Sequence, residues 1–188
     1  MTRNQPTGLV VWCTGLSGAG KTTICNAVSK ELLARGFKVE TLDGDIVRQQ
    51  LNSDLGFSRK DRNENVRRIG VVAQRLARHG VIVLVAVISP YRAARQKLRD
   101  TIPDFMEVYV NAPLAVCEQR DPKGLYRRAR QKQLDRFTGI DDPYQPPLAP
   151  DVECATDQET IKASKNKVVA AVLAFVAARS GQQVANGN

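Results

Sequence analysis

A short apolar, β-rich run, Leu9–Thr14, leads directly into the octet Gly15-Leu16-Ser17-Gly18-Ala19-Gly20-Lys21-Thr22. The octet has the spacing Gly-x-x-x-x-Gly-Lys-Ser/Thr, and a helical pattern opens at Lys21. Strand, glycine loop and helix in this order constrain the fold strongly. Glycines let successive backbone N–H groups converge on phosphate oxygens, and the helix N-terminus adds positive potential. Gly15, Leu16, Ser17, Gly18, Ala19, Gly20, Lys21, Thr22 and Thr23 are therefore the expected nucleoside triphosphate contacts. Lys21 should reach the β- and γ-phosphates, and the Thr22 hydroxyl should meet a Mg²⁺ ion.

The rest of the chain alternates strand and helix, the pattern of a parallel sheet covered on both faces. Lys21–Arg35 reads as a helix closed by Gly36, and Val39–Leu42 as a second strand. A long helix is expected from Ser58 to His79, with Ser58 and Asp61 as a capping box. Val66, Ile69, Val72, Ala73 and Leu76 share one of its faces. His79, beside Gly80, fits a helix C-terminus better than a catalytic base.

Val81–Ile88 is continuous and β-branched, so it predicts a strand buried on both faces. Ser89-Pro90 predicts the N-cap and first position of a helix reaching Thr101. Phe105–Val110, Ala112–Arg120, Val152–Cys154 and Gln158–Arg179 follow as strand, helix, edge strand and closing helix. Between them, 121–145 has lid character: a basic stretch, then a loop rich in Gly, Asp and Pro. One domain is expected over 1–188, with its core at about 7–179 and a polar tail at 181–188. The predicted architecture is a three-layer α/β/α domain of the P-loop NTPase kinase type, with a five-stranded parallel sheet and a mobile basic lid.

Composition narrows the partners. The chain has 188 residues and a formal net charge of +9, which favours anionic ligands. The charge is dispersed and aromatics are only 5%, a poor fit to a nucleic-acid stacking surface. The longest apolar run, Val81–Ile88, is far below the ~20 residues of a membrane span. The polar start has no apolar signal core, so a cytoplasmic location is expected. Cys13, Cys25, Cys117 and Cys154 form no ligand cluster and read as reduced, small apolar residues.

Two carboxylates, Asp43 and Asp45, follow the second strand, which places them beside the phosphate loop. No Asn-Lys-x-Asp segment is present, and the third strand ends in Ile88-Ser89-Pro90 rather than in an acid. This pattern is that of a small-molecule kinase rather than a GTPase switch or motor ATPase. Nucleotide and sugar kinases share such a loop but differ in acceptor.

Several further segments carry a closer likeness. They are Leu42-Asp43-Gly44-Asp45 with Arg48, Asp54-Leu55-Gly56-Phe57-Ser58, and Asp61–Ile69. Ile88-Ser89-Pro90-Tyr91-Arg92, Asp121-Pro122-Lys123-Gly124-Leu125-Tyr126 and Phe137–Tyr144 complete the set. With the phosphate loop they cover the chain from about Thr7 to Arg179, and in this order they resemble the adenosine 5′-phosphosulfate kinase family.

The resemblance implies transfer of the ATP γ-phosphate to the 3′-hydroxyl of adenosine 5′-phosphosulfate, with Mg²⁺, in a homodimer that binds neither nucleic acid nor membrane. It implies an adenine sandwich of Phe57 and Phe137. Asp43, Asp45, Arg48, Arg62, Asn65, Ile88, Ser89, Lys123 and Leu125 are implied around the rest of the acceptor. Arg130, with Arg127 and Arg128, is expected near ATP. Catalysis is expected from Lys21 and Asp45. Ser89 matches a position described as a phosphoserine in some members, although its local sequence suggests a helix cap. Ile46 and Gln145 depart from the family pattern, which often has Asn and an acid at those positions.

Overall fold

The computed structural model describes residues 8–185, with side chains described through Arg179. Thr7, at the expected start of the core, and residues 186–188 of the expected tail lie outside that range.

Five strands, β1 (Leu9–Thr14), β2 (Val39–Asp43), β3 (Ile82–Ala86), β4 (Phe105–Asn111) and β5 (Val152–Ala155), form one sheet in the order β2-β3-β1-β4-β5. Every pairing is parallel. The helices between them are α1 (Lys21–Ala34), α2 (Gly44–Leu51), α3 (Arg59–Ala77), α4 (Arg92–Thr101), α5 (Leu114–Arg120) and α6 (Leu125–Arg130). Helix α7 (Ile161–Ala185) closes the fold.

Central β1 is buried along its whole length, as a strand covered on both faces must be. Its residues alternate between two cores. Leu9, Val11 and Cys13 pack with α1 residues such as Ile24 and Val28 and with α7 residues such as Val168 and Val172. Val10 and Trp12 pack with α3 residues Val66, Ile69 and Ala73 and with α4 residue Leu98. Each fully buried side chain of this size contributes about 1.5–3 kcal/mol, so the two layers anchor the sheet from both sides. The α3–α4 contact is close: a Cβ on Gly70 would lie 2.3 Å from the Leu98 side chain.

The capping box forms as expected. The Asp61 N–H donates to Ser58 Oγ at 3.1 Å, and the Ser58 N–H donates back to Asp61 Oδ2 at 3.3 Å. All four cysteines are free and buried.

Four expectations are corrected. Asp43-Gly44-Asp45 opens an additional helix, α2, whose N-cap is Asp43. The closing helix begins later and runs past Arg179 to Ala185, so the expected polar tail is helical through 185. The 121–145 segment contains a short helix, α6, whose N-cap is Gly124; the Asp121 carboxylate accepts from the Tyr126 and Arg127 N–H groups at 3.1 Å. Finally, Ser89 is not a helix cap: α4 starts at Arg92 after Tyr91, and Ser89 has a φ of +40°. A non-glycine residue in that region is strained and persists only where its surroundings hold it.

Candidate active site

Parallel pairing sets the ends of β1, β2 and β3 side by side, with Ala86 opposite both Cys13 and Asp43. The phosphate loop, Asp43 and the Val87–Ser89 segment therefore emerge at one edge. Ligands of open α/β sheets bind at this carboxyl end. A single cavity of about 1110 Å³ opens there.

On the phosphate side, Gly18 and Gly20 have φ of +73° and +102°, which side chains rarely tolerate. Gly20 caps α1 with no side-chain hydrogen bond, and the first turn of α1 holds no acid. The positive end of the helix is thus left uncompensated, which suits an incoming anion. Lys21 Nζ folds back and donates to the carbonyls of Gly15 at 3.0 Å and Leu16 at 2.8 Å. Burial pushes its ammonium down to about 8.

Thr22 Oγ1 donates to Asp43 Oδ2 at 2.7 Å, and the Asp45 N–H donates to Asp43 Oδ1 at 3.0 Å. Both Asp43 oxygens are thereby engaged, whereas the Asp45 carboxylate faces the cleft and pairs with Lys123 of the lid segment. Thr22 and Asp43 supply hard oxygen donors that fit Mg²⁺. Among the described residues no group of three or more His, Cys, Asp or Glu side chains could hold a metal. Such an ion would draw most of its ligands from phosphate and water.

The other half of the cavity is cationic and aromatic. Phe57 is 55% exposed, and the guanidinium carbons of Arg48 and Arg62 lie 4.6 and 5.5 Å from its ring centre. Arg48 is fixed by the carbonyls of Leu55 and Gly56 at 3.1 and 3.0 Å. Arg62 donates to the Phe57 carbonyl at 3.0 Å and to the Arg136 carbonyl, with Asp142 at 3.7 Å. Desolvation lowers the pKa of both arginines. Asn65 accepts from Asn52 Nδ2 at 2.9 Å. Phe137 meets the edge of Tyr126 with ring centres 5.0 Å apart.

Ser89 is 3% exposed. Its Oγ accepts from Trp12 Nε1 and donates to Thr14 Oγ1, each at 3.0 Å. Thr14 in turn donates to the Ile88 carbonyl at 2.7 Å and lies 3.0 Å from the Tyr144 hydroxyl. Buried Arg95 braces the same corner. It pairs with Glu107 at 2.7 Å and donates to the carbonyls of Ser89 at 2.5 Å and Gln145 at 2.6 Å.

Of the residues expected at the site, all but Gly15, Leu16, Ala19, Arg127, Arg128 and Arg130 line the cavity. Gly15 and Leu16 lie behind the loop, holding Lys21 through their carbonyls, and Ala19 is fully buried. Arg130 pairs with Glu118 at 2.6 Å, on the preceding helix α5. Arg120 and Thr156 also line the cavity, and neither was expected. Arg120 adjoins the Asp121–Tyr126 motif, which was a usable signal; nothing local marks Thr156.

The family model described as Adenylylsulphate kinase matches residues 7–155. An adenylyl-sulfate kinase of Microcystis aeruginosa is 60% identical over 161 residues, 86% of this chain and 89% of the relative. One from Synechococcus sp. (strain JA-3-3Ab) is 63% identical over 154 residues, covering 82% and 88%. Among solved structures, the Mycobacterium tuberculosis APS kinase CysC in complex with AMPPNP and APS superposes with a TM-score of 0.85. It is 44% identical, with 89% of this chain and 98% of that one covered. A Sinorhizobium meliloti gluconokinase, 21% identical with a TM-score of 0.54, shares the fold alone.

Proposed function

The chain belongs to the adenylylsulphate kinase family, and from that premise we propose how its cleft transfers the ATP γ-phosphate to the 3′-hydroxyl of adenosine 5′-phosphosulfate. The products are ADP and 3′-phosphoadenosine 5′-phosphosulfate, the activated sulfate of sulfate assimilation. One observation carries the reading. A single cavity joins an uncapped phosphate loop to an exposed Phe57 ring flanked by two arginines, with the Asp45 carboxylate also in its lining.

The loop amides and Lys21 bind the β- and γ-phosphates. Contact with phosphate replaces the Gly15 and Leu16 carbonyls around Nζ and raises the ammonium pKa. Thr22 and Asp43 would hold Mg²⁺, which when bound spreads the negative charge of the transferring phosphoryl. Phe57 and Phe137 stack on the acceptor adenine, and Arg48, Arg62 and Lys123 face its phosphosulfate.

Asp45 accepts the proton of the 3′-hydroxyl as the O3′–Pγ bond forms and the bond from Pγ to the β-γ bridging oxygen breaks, releasing ADP. Lys123 leaves Asp45 for the acceptor anion, so acceptor binding frees the base. Ser89, with its hydroxyl engaged on both sides, serves as a structural tie in a direct, in-line transfer.

The 121–145 segment acts as a mobile lid in this reading, and Arg127 and Arg128 approach ATP on its closure. The protein works as a homodimer in the cytoplasm. Its free, buried thiols agree with a reducing compartment, and no helix among the described residues is long and apolar enough to cross a membrane. The test is ADP release measured with and without adenosine 5′-phosphosulfate. Release that ignores the acceptor overturns the reading. Light scattering on the eluted protein tests the dimer.

A further inference from the structure

Three consecutive carbonyls of the phosphate loop are held from outside the loop. Tyr126 Oη donates to the Ser17 carbonyl at 3.0 Å. Arg120 Nη1 reaches the Gly18 carbonyl at 3.3 Å, and Thr156 Oγ1 donates to the Ala19 carbonyl at 2.7 Å. These donors come from α6, the end of α5 and the segment after β5. In a trans peptide the C=O of one residue and the N–H of the next point in opposite directions. Drawing the Ser17 and Ala19 carbonyls outward therefore turns the Gly18 and Gly20 N–H groups inward, toward the place an anion would take. Both glycines have positive φ and no side chain to fix that orientation, so the outside donors supply it.

We propose that the hydroxyls of Tyr126 and Thr156 are positioning residues for the nucleotide phosphates, acting through the Ser17–Gly18 and Ala19–Gly20 peptides. Their role in this proposal is carried by the loop carbonyls, although Thr156 also lines the cavity. The proposal rests on the reading of this loop as the phosphate site and adds what aims its amides. Tyr126 is 2% exposed and its ring edge meets Phe137, so the side chain that steadies the phosphate loop also backs the acceptor half. Tyr126→Phe keeps the ring and that edge contact while removing the hydroxyl. Thr156→Val keeps shape in the same way.

The experiment is displacement of a bound fluorescent ATP analogue from the full chain by ADP and by AMP, in wild type, Y126F and T156V, so that both ligands report on the phosphate-loop half of the cavity. Aiming loop amides matters for a ligand with a β-phosphate and little for AMP. Each variant should lose about three- to tenfold in ADP affinity, the usual worth of one hydrogen bond, with AMP affinity within about twofold of wild type. A general structural role would weaken both ligands together. Equal losses for ADP and AMP, or no loss for ADP, overturn the proposal. If Y126F fails to fold, T156V alone decides by the same ratio. These titrations need no acceptor, so they are read separately from the acceptor-dependent ADP release that tests the function.

Discussion

Trp12 Nε1 donates to Ser89 Oγ over 3.0 Å, tying the central strand to the segment that leaves β3. Ser89 occupies a positive-φ corner and is held there by side chains from β1 and α4. Its hydroxyl bonds to Trp12 and Thr14 of the central strand.

Ser89→Ala leaves the buried indole N–H without its partner, which costs about 1–3 kcal/mol. The thermal midpoint should fall by several degrees while turnover stays within about fivefold of wild type. A well-folded S89A protein that binds both substrates yet is inactive, together with retained configuration at a chiral γ-phosphorus, would establish a phosphoserine route instead.

Asp45 is the cleft carboxylate left over once Asp43 has taken Thr22 and the helix cap. Asp45→Asn keeps size and removes the proposed proton acceptor, so kcat should fall about 10²- to 10⁴-fold with ATP affinity little changed. Lys123→Ala, which removes the partner of Asp45, should raise the acceptor KM more than it lowers kcat. Steady-state kinetics with each substrate varied separates these effects.

Phe57 is exposed, so Phe57→Ala should leave stability close to wild type. Loss of base stacking, about 1–3 kcal/mol, should weaken adenosine 5′-phosphosulfate by roughly five- to 150-fold and ADP hardly at all. Titration of the two ligands distinguishes a stacking ring from a packing one. Phe137 packs against the main core, and its replacement should reduce stability as well.

The Lys21 ammonium, lowered to about 8 by burial, gains anionic partners when nucleotide binds, and its pKa rises. The contribution of this charge to affinity is full below about pH 8 and is lost as pH climbs through the higher value of the complex. ADP binding near pH 8.5–9 should therefore take up protons, seen as a binding heat that depends on the ionisation enthalpy of the buffer. Lys21→Ala should abolish the uptake and cut turnover by several orders of magnitude.

Gln145 supplies the acceptor that Ser89 does not. Its Oε1 accepts from the Arg92 N–H at 3.0 Å, at the start of α4. Gln145→Glu places a negative charge at a helix N-terminus, worth about 0.3–1 kcal/mol. The thermal midpoint should rise by about 1–4 °C at pH 7. A carboxylate stabilised in this way has a lowered folded pKa, so the gain is full above about pH 4.3 and fades as pH falls below that.

The parts of this protein readable from its residues are those whose physics is local. A glycine loop between an apolar run and a helix specifies its own backbone, and Ser58 with Asp61 closes a cap within four residues. Alternating strand and helix periods then require a parallel sheet, which gathers the loop and Asp43 at one edge. Helix α2 escaped notice because it is short and begins with Gly44 and Asp45, residues equally suited to a turn.

The remaining errors share one cause: a polar group takes whichever partner the fold brings nearest. Ser89 and Pro90 carry every local mark of a helix start. Tertiary structure instead gives the Arg92 N–H to Gln145, 53 residues away, and the Ser89 hydroxyl to Trp12 and Thr14 on the central strand. Arg130 likewise pairs with Glu118, a partner that no local pattern announces. Tyr126 falls within a quoted motif, but nothing local marks its hydroxyl, or that of Thr156, as the partner of a loop carbonyl more than a hundred residues distant. Residue type and spacing determined which groups this chain brings to a phosphate; long-range packing decided which of those groups are free to act and which are spent holding the others in place.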